Sequence, residues 1–213
     1  MKKIILLFSF IILQIFLFHH VLTLAKTPEN YLKGKFYNSV KNHFLVSTEK
    51  IQDDKFEKTV IAMLGSNKDG AWGLVINKPI GSLPIALLID SALSTSEKRE
   101  ELYAINIEVF WGGPVNVKEI FILHSNEYKS ASTKKYGNLS VSHDYNILFD
   151  IAINNGPEQS LVILGYSGWG SGQLEGEMER GRWILSNFEL DIVFDKKSQT
   201  KWSIAYKNSF MKI

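Results

Sequence analysis

The chain has 213 residues and contains no cysteine, which excludes disulfides, thiolate metal sites and cysteine nucleophiles. Its hydrophobic content of 45% and charged content of 22% are ordinary for one folded domain. Lys2 and Lys3 account for the formal charge of +2, because removing them from the 24 basic side chains leaves 22, which balance the 22 acidic ones. A neutral domain argues against direct binding of double-stranded DNA, which depends on clustered Lys and Arg.

Residues 1–25 form the first predicted element. Lys2 and Lys3 precede a long apolar run, and the small side chains of Thr23 and Ala25 suit a signal-peptidase site. This pattern predicts a signal peptide and therefore export. The alternatives are an uncleaved membrane anchor, because about 20 apolar residues can span a bilayer, and a wrongly chosen start codon. Membrane contact is expected through residues 1–25 in the first two cases.

A polar linker over residues 26–42 is expected to lead into a run of strands. Residues 43–47 are apolar and predict the first strand. Residues 59–76 predict a β-hairpin, because two apolar runs flank a turn at 67–70 in which Gly70 can adopt a positive φ.

The middle of the chain is predicted to place one helix among strands. Pro79 has no N–H to give to a ladder and is expected to end the hairpin strand. Ser82 is then the expected N-cap of a helix with Pro84 in its first turn. Two strands, a sharp turn and a polar loop are predicted next, at 105–111 and 118–124, at Gly112-Gly113-Pro114, and at 125–138.

The remaining elements follow one another without a regular βα alternation. They are a helix over 141–149, a strand over 161–165, a helix over 171–180 ending at Gly181, extended runs over 182–186 and 190–194, and a basic tail over 196–213 that can form a last helix. This mixture predicts the α+β class: a single compact domain with a mixed, largely antiparallel β-sheet and a few flanking helices, preceded by the N-terminal hydrophobic segment. The tail, with five lysines and no acid, indicates a solvated amphipathic end or, alternatively, contact with phosphate or lipid headgroups.

The segment over 165–175 carries the clearest signal for a binding site, since four glycines alternate there with Tyr166 and Trp169. Glycine permits close approach of another backbone, and amides at a helix N-terminus attract anions. One hypothesis is a loop that binds a small anion or a protein partner; the other is a glycine turn whose aromatic rings pack on the core. The candidate binding residues are Gly168, Trp169, Gly170, Ser171, Gly172 and Gln173.

Catalytic and metal-binding patterns are weak in this sequence. There is no HExxH or related spacing, and His124, at the end of an apolar strand, is expected to be structural. Glu175 and Glu179 share a helix face, for which a solvated helix is the simplest interpretation. Around Ser167, the second glycine of the Gly-x-Ser-x-Gly nucleophile pattern comes one residue early. No catalytic residue, metal or cofactor is predicted; the alternative is a hydrolase with His124 and Glu175 as its acid–base pair.

Several motifs together carry a resemblance to a known family. They are the strand at 70–79 ending in Asn77-Lys78-Pro79, the turn Trp111-Gly112-Gly113-Pro114-Val115, the strand end Ile122-Leu123-His124, and the glycine block at 164–175 followed by Gly181 and Trp183. In this order, they make the sequence resemble the AlgH/YqgE family of bacterial proteins over residues 43–195. The signature positions are Asn77, Pro79, Gly112, Gly113, Pro114, His124, Glu175 and Trp183.

The resemblance implies a single α+β domain with a mixed sheet, and it carries over no catalytic residue and no cofactor. The family is named for a proposed role in regulating alginate production, as a transcriptional regulator. It also implies a cytoplasmic location, in contrast to the export that residues 1–25 predict. The favoured function is therefore a non-enzymatic regulatory or ligand-binding module. Its expected groove has anion-binding amides at 168–172 and is lined by Trp72, Trp111, Tyr166 and Trp169.

Overall fold

This computed structural model describes residues 40–89, 102–194 and 196–209, which fold into ten strands and several short helices. The elements in chain order are β1 (His43–Ser47), β2 (Val60–Asn67), β3 (Gly70–Val75), β4 (Pro79–Pro84), α1 (Ile85–Leu88), β5 (Asn106–Trp111), β6 (Val115–His124), β7 (Lys134–Tyr136), β8 (Leu139–Ser142), α2 (Asn146–Ala152), β9 (Ser160–Gly170), α3 (Gln173–Glu179), β10 (Trp183–Asn187), α4 (Leu190–Phe194) and α5 (Ser198–Lys207).

The strands form one curled sheet in the order β10-β1-β2-β3-β9-β6-β8-β7, with β4 paired to β5 at the side. The pairing of β5 with β9 is parallel, and the other described pairs are antiparallel. The predicted α+β domain with a mixed, largely antiparallel sheet is therefore confirmed. The long strand β9 joins the two parts of the sheet, because its first half lies between β5 and β6 and its last residues pair with β3.

Both faces of the sheet are covered in its middle. In β1, Phe44 and Val46 belong to one core cluster and Leu45 belongs to the cluster on the opposite face. A strand buried on both faces has a continuous apolar sequence rather than an alternating one, which accounts for this run. Helix α3 packs on the second cluster through Leu174 and Met178.

The hairpin predicted over 59–76 is confirmed. Strands β2 and β3 pair antiparallel around the turn, and Gly70 has a φ of 149°. A Cβ at Gly70 would lie less than 3.0 Å from the carbonyl oxygen of Trp169, so the close approach of β9 also requires glycine here.

The helix expected to be capped by Ser82 begins later than predicted. Residues Pro79–Pro84 form strand β4, which pairs with β5, and α1 starts at Ile85 after Pro84 as its N-cap. Prolines at the two ends of a side strand are compatible with the ladder, because the donor that they lack is not needed there. The partner strand is remote in sequence, so the local capping signal gave the wrong start.

The helix expected over 141–149 is also corrected. Strand β8 occupies Leu139–Ser142 and pairs with β6, and α2 begins only at Asn146. Leu139 and Val141 are buried in the core and alternate with serines, which is the period of two typical of a strand. The loop predicted over 125–138 contains the short strand β7, which pairs with β8.

The run over 190–194, predicted to be extended, is helix α4. Its β-branched residues favoured a strand in the sequence. In the structure, Ile192 and Val193 are fully buried against the first core cluster, so tertiary packing overrides the local preference.

The signal peptide or anchor predicted over 1–25, and the predicted linker as far as residue 39, lie outside the described residues. Val40 is 1% exposed and packs in the same cluster as Leu45, so packing against the core begins before the first strand. Among the residues that the structure describes, no helix combines the length and the apolarity needed to cross a membrane.

The basic tail contains a helix, α5, that packs on the domain rather than extending into solvent. Lys201 is 1% exposed, and its ammonium group donates to the carbonyl oxygens of Ile76 (3.1 Å) and Val193 (2.5 Å). The Trp202 indole donates to the Ser47 carbonyl oxygen at 2.9 Å. Helix α5 therefore has buried residues, Lys201 and Ala205, beside exposed ones such as Lys207, so the tail is not solvated throughout.

Candidate functional site

The glycine block predicted as a loop is largely strand. Gly168, Trp169 and Gly170 are the last residues of β9 and pair with β3. Ser171 and Gly172 form the turn before α3, and Gly172 has a left-handed φ of 71°. This corrects the sequence interpretation, which could not include the ladder that β3 supplies from a distant part of the chain.

Two polar groups of this block already have hydrogen-bond partners within the chain. The Gly170 N–H donates to Gln173 Oε1 at 3.1 Å, and the Ser171 hydroxyl donates to the Lys68 carbonyl oxygen at 2.6 Å. The amide of Gly170, which was expected to be available to an anion, is therefore already used within the chain.

The four aromatic residues expected to line one groove are divided between the two faces of the sheet. Trp72 and Tyr166 lie edge to face, with ring centroids 6.1 Å apart, and pack on the first core cluster. Trp169 and Trp111 pack on the second. Three of the four, Trp72, Tyr166 and Trp169, nevertheless line one open cavity of about 750 Å³, whereas Trp111 does not line it. Trp169 also lines a second, smaller cavity, because it lies between the two.

The smaller cavity, of about 300 Å³, contains the predicted residues Gly168, Trp169 and Gln173 in its wall, and we call it the indole–carboxylate cavity. Segments from three parts of the chain, over 51–56, 167–173 and 177–183, form this wall together with Pro114. The side chains that matter for its chemistry are Phe56, Trp169, Gln173, Glu177, Arg182 and Trp183.

The Glu177 carboxylate is held in place by three neutral donors. Its Oε2 accepts the indole N–H of Trp183 at 2.7 Å and that of Trp169 at 3.1 Å. Its Oε1 accepts the side-chain amide of Gln173 at 3.2 Å. The two indole rings are buried and meet edge to face at 5.9 Å, so the carboxylate has a fixed position in the wall.

The short helix α3 places these groups side by side. Gln173 and Glu177 are four residues apart and therefore share a helix face. The helix ends in a Schellman motif: Gly181, with φ 68°, donates to the Met178 carbonyl oxygen, and Arg182 N–H donates to that of Glu177. The sharp end brings Arg182 to the rim of the cavity directly before β10.

Sequence reasoning missed Phe56, Glu177 and Arg182. The four-residue spacing of Gln173 and Glu177 is a usable signal, because it places them on one helix face in the same way as Glu175 and Glu179. Glu175 is 7% exposed and Glu179 is exposed, so the pair is not the solvated one that was expected. No local pattern could have placed Phe56, which reaches the cavity from a separate loop.

The signature residues of the glycine turn serve the scaffold. Gly112 N–H donates to the Leu164 carbonyl oxygen at 2.8 Å, and its own carbonyl accepts from the Val75 N–H at 3.1 Å. The Ser167 hydroxyl, buried, also donates to that carbonyl at 3.1 Å. Ser167 is therefore a structural group and not a nucleophile. Pro114 alone of this turn reaches the cavity wall.

The Asn-Lys-Pro signature fixes the end of the hairpin. Asn77 Oδ1 accepts the N–H of Val60, and its amide donates to the Lys58 carbonyl oxygen, both at 2.8 Å. Pro79 follows as the first residue of β4. Asn77 and Pro79 are therefore scaffold positions, and neither lines the indole–carboxylate cavity.

The hydrolase alternative requires His124 and Glu175 to meet, and they do not. His124 pairs with Ser160 at the start of β9, whereas Glu175 follows the end of that strand. At about 3.3 Å per residue, the eleven-residue strand separates them by roughly 30 Å. No acid–base pair can form from these two residues.

His124 is fully buried and hydrogen-bonded through both ring nitrogens, as expected for a structural histidine. Its Nδ1 lies 2.8 Å from the Ser125 carbonyl oxygen, and its Nε2 lies 2.9 Å from the Ser142 hydroxyl. The carbonyl can only accept, so Nδ1 carries the proton and the neutral ring accepts from Ser142. Burial lowers the pKa of His124, and the opposing effects of the Ser125 carbonyl and of Glu127 and Asp144 are smaller.

Stability is therefore expected to fall as the pH drops through the titration of His124. Above pH 6.5, the ring is neutral in both states; below it, the unfolded chain binds a proton that the folded chain, with its lowered pKa, does not. The loss is at most about 1.4 kcal/mol per pH unit. Urea unfolding between pH 7.5 and 5 measures it, and His124→Gln is expected to flatten the slope. An equal slope in that variant would assign the pH dependence to other groups.

The described part of the chain contains no group of three or more His, Cys, Asp or Glu side chains placed to hold a metal ion. The candidate site is built from indoles, amides, two carboxylates and a guanidinium. These groups can bind and orient a ligand through hydrogen bonds and charge.

Comparison with known proteins places the chain among bacterial relatives. The sequence model of the AlgH-like family matches residues 44–213. A UPF0301 protein of Methylococcus capsulatus (strain Bath) is 36% identical over 169 residues, which cover 78% of this chain and 89% of that protein. The UPF0301 protein AlgH of Pseudomonas aeruginosa (strain PAO1) is 35% identical over 166 residues, which cover 78% of this chain and 86% of that protein.

Solved structures agree with the sequence relationship. The solution structure of the AlgH protein from Pseudomonas aeruginosa is similar to this chain with a TM-score of 0.66 and 34% identity, covering 79% of this chain and 88% of that one. A crystal structure of a protein from Corynebacterium diphtheriae shares the fold with a TM-score of 0.57 at 15% identity, covering 77% and 84%. The sequence match, the fold and the motif order together show that the chain belongs to the AlgH-like (UPF0301) family.

Proposed function

We propose that this protein is a non-enzymatic binding module whose ligand site is the indole–carboxylate cavity. The observation that carries the proposal is the Glu177 carboxylate, fixed by two indoles and an amide in the wall of a cavity of about 300 Å³. Small-molecule sites in proteins are mostly apolar clefts of at least this size with a few well-placed polar groups.

Rigid polar groups support binding because they lose little freedom when a ligand arrives. Trp169 and Trp183 are 8% and 2% exposed and cannot rearrange without disturbing the core. Gln173 is in turn fixed by the Gly170 N–H. The site is thus preorganised before any ligand enters.

The lining also favours binding over acyl transfer. None of the described histidines lines the cavity, and the Ser167 hydroxyl in its wall is engaged with the Gly112 carbonyl. A nucleophile needs an adjacent base within hydrogen-bond reach, and Ser167 has a carbonyl there instead. We assign the binding a regulatory use, which the resemblance to the AlgH/YqgE family implies.

Blocking the mouth of the cavity tests this function. Gln52 is exposed and lines the cavity, so Gln52→Trp is expected to weaken ligand binding by at least about tenfold, or ~1.4 kcal/mol. The measurement is an NMR titration of the full chain with a set of neutral and charged fragments. The indole N–H signals of Trp169 and Trp183 report binding, and that of Trp202, bonded to Ser47 elsewhere, is the internal control.

Lys55→Trp is the matched control, because Lys55 is exposed in the same loop but does not line the cavity. Its affinity for the same fragment is expected to stay within about twofold of the unmodified chain. If no fragment moves the Trp169 and Trp183 signals, the cavity is only a packing feature and the proposed function fails.

A further inference from the structure

Building on the proposed function, we infer that the indole–carboxylate cavity binds a small organic cation, an ammonium group carried on an apolar body. The ammonium group contacts Glu177 Oε1, and the apolar body lies against Ile51, Phe56 and the indoles. Four observations carry this assignment: the balance of charge, the remaining hydrogen-bonding capacity of Glu177, the position of Arg182 and the apolar wall.

The charge balance of the cavity is negative. Two carboxylates, Glu177 and Asp53, line it against one cation, Arg182. Within the residues that the structure describes, none of these three side chains forms an ion pair with another. The partners of Glu177 are neutral, so its charge is held beside two buried indoles with no opposite charge in contact. A cation in the cavity would supply the opposite charge that this carboxylate lacks.

The hydrogen-bonding capacity of Glu177 also selects for a donor. A carboxylate offers about four acceptor positions, and the indoles of Trp169 and Trp183 and the amide of Gln173 occupy three of them. The unused capacity lies on Oε1, which accepts a single bond. An ammonium group carries only donors and is complementary to this oxygen, whereas a carboxylate or phosphate is not.

Arg182 lines the cavity from a more exposed position than Glu177 does. Its side chain is exposed, whereas Glu177 is half-buried and bonded to buried indoles. An anion drawn to Arg182 would meet the like charges of Asp53 and Glu177 as it entered. A cation that reaches Glu177 instead leaves Arg182 at the solvent side, where its repulsion is screened.

The apolar wall accounts for the body of the ligand. Ile51, Phe56 and the two indoles lie within the same lining as Glu177. Aromatic walls favour cations with attached apolar groups over hydrated inorganic ions, because they offer dispersion contacts and attract positive charge.

Three probes of similar size separate charge from shape. They are benzylammonium, benzyl alcohol and benzoate, to be titrated into the full chain with the indole NMR signals of Trp169 and Trp183 as the readout. Benzylammonium is expected to bind at least about tenfold more tightly than benzoate, with benzyl alcohol between them.

Two variants with opposite expected effects complete the test. Glu177→Gln keeps the shape and an acceptor for the indoles but removes the charge. It is expected to weaken the binding of benzylammonium by at least about tenfold. Arg182→Gln removes the competing cation from an exposed position, and is expected to strengthen the binding of benzylammonium by about threefold. Because Arg182 is exposed, its variant remains informative if Glu177→Gln fails to fold.

Equal binding of the three probes, or tighter benzoate binding that Arg182→Gln removes, would overturn the cation assignment while leaving the cavity as a binding site. If none of the probes or fragments moves the indole signals, both the cation assignment and the proposed function fail. The two failures are therefore distinguishable.

Discussion

Gly113→Ala is expected to lower the free energy of unfolding by at least about 4 kcal/mol, enough to prevent folding of a marginal domain. A Cβ at this position would lie less than 3.0 Å from the carbonyl carbon and oxygen of Tyr166 and from the Ser167 nitrogen. The φ of 147° adds strain for any side chain. The obstructing atoms are backbone and cannot move without opening the contact between the glycine turn and β9.

Gly170→Ala is the matched control for this prediction. Gly170 lies in the same strand, β9, but a Cβ there would meet no atom within 4 Å. The free energy of unfolding of Gly170→Ala is expected to stay within about 1 kcal/mol of that of the unmodified chain. Urea unfolding of both variants gives the comparison. Equal losses of unfolding free energy would show that the close contact with β9 is not the reason for glycine at position 113.

The contrast between these glycines shows what the sequence could and could not reveal. The Gly112-Gly113-Pro114 run was correctly predicted as a sharp turn, because glycine and proline mark turns through their own backbone preferences. The reason for the second glycine is a contact with β9, more than 50 residues later in the chain. The sequence alone predicts the turn, but only the packed sheet shows why position 113 must be glycine.

The same division between local and remote information explains the other results. The hairpin over 59–76 and helix α3 with its end at Gly181 were predicted, because their signals lie within each element. The last two residues of strand β8 were assigned to the start of a helix, and the end of β9 was assigned to a loop. In both, the deciding factor is a partner strand brought from elsewhere, which periodicity does not show.

Three of the six candidate binding residues, Gly168, Trp169 and Gln173, lie in the wall of the cavity, and they are close in sequence to an unusual glycine pattern. The groups that define its chemistry, Glu177 and Arg182, look like ordinary charges of a surface helix in the sequence. Their importance comes from the indoles that surround the carboxylate, and Trp183 comes from the next strand.

Lys201→Ala is expected to destabilise the domain by about 3–5 kcal/mol. The change creates a cavity in the core and leaves two buried carbonyl oxygens without a hydrogen-bond donor. Lys201 is among the largest fully buried side chains, and its ammonium group bonds Ile76 and Val193. It also lies 5.8 Å from the centroid of the Phe110 ring. These contacts join helix α5 to the hairpin and to α4. Their loss is therefore expected to weaken the packing of α4 and α5 on the sheet.

Two controls separate burial from charge in this prediction. Lys207→Ala removes a lysine from an exposed position of the same helix and is expected to cost no more than about 0.5 kcal/mol. Lys201→Met keeps the apolar stem, so only the bonds to the carbonyls are lost, and it is expected to cost about 1–3 kcal/mol. The measurement is the urea unfolding midpoint of each variant at one pH. If Lys201→Ala costs no more than Lys207→Ala, the buried lysine does not anchor α5 to the domain.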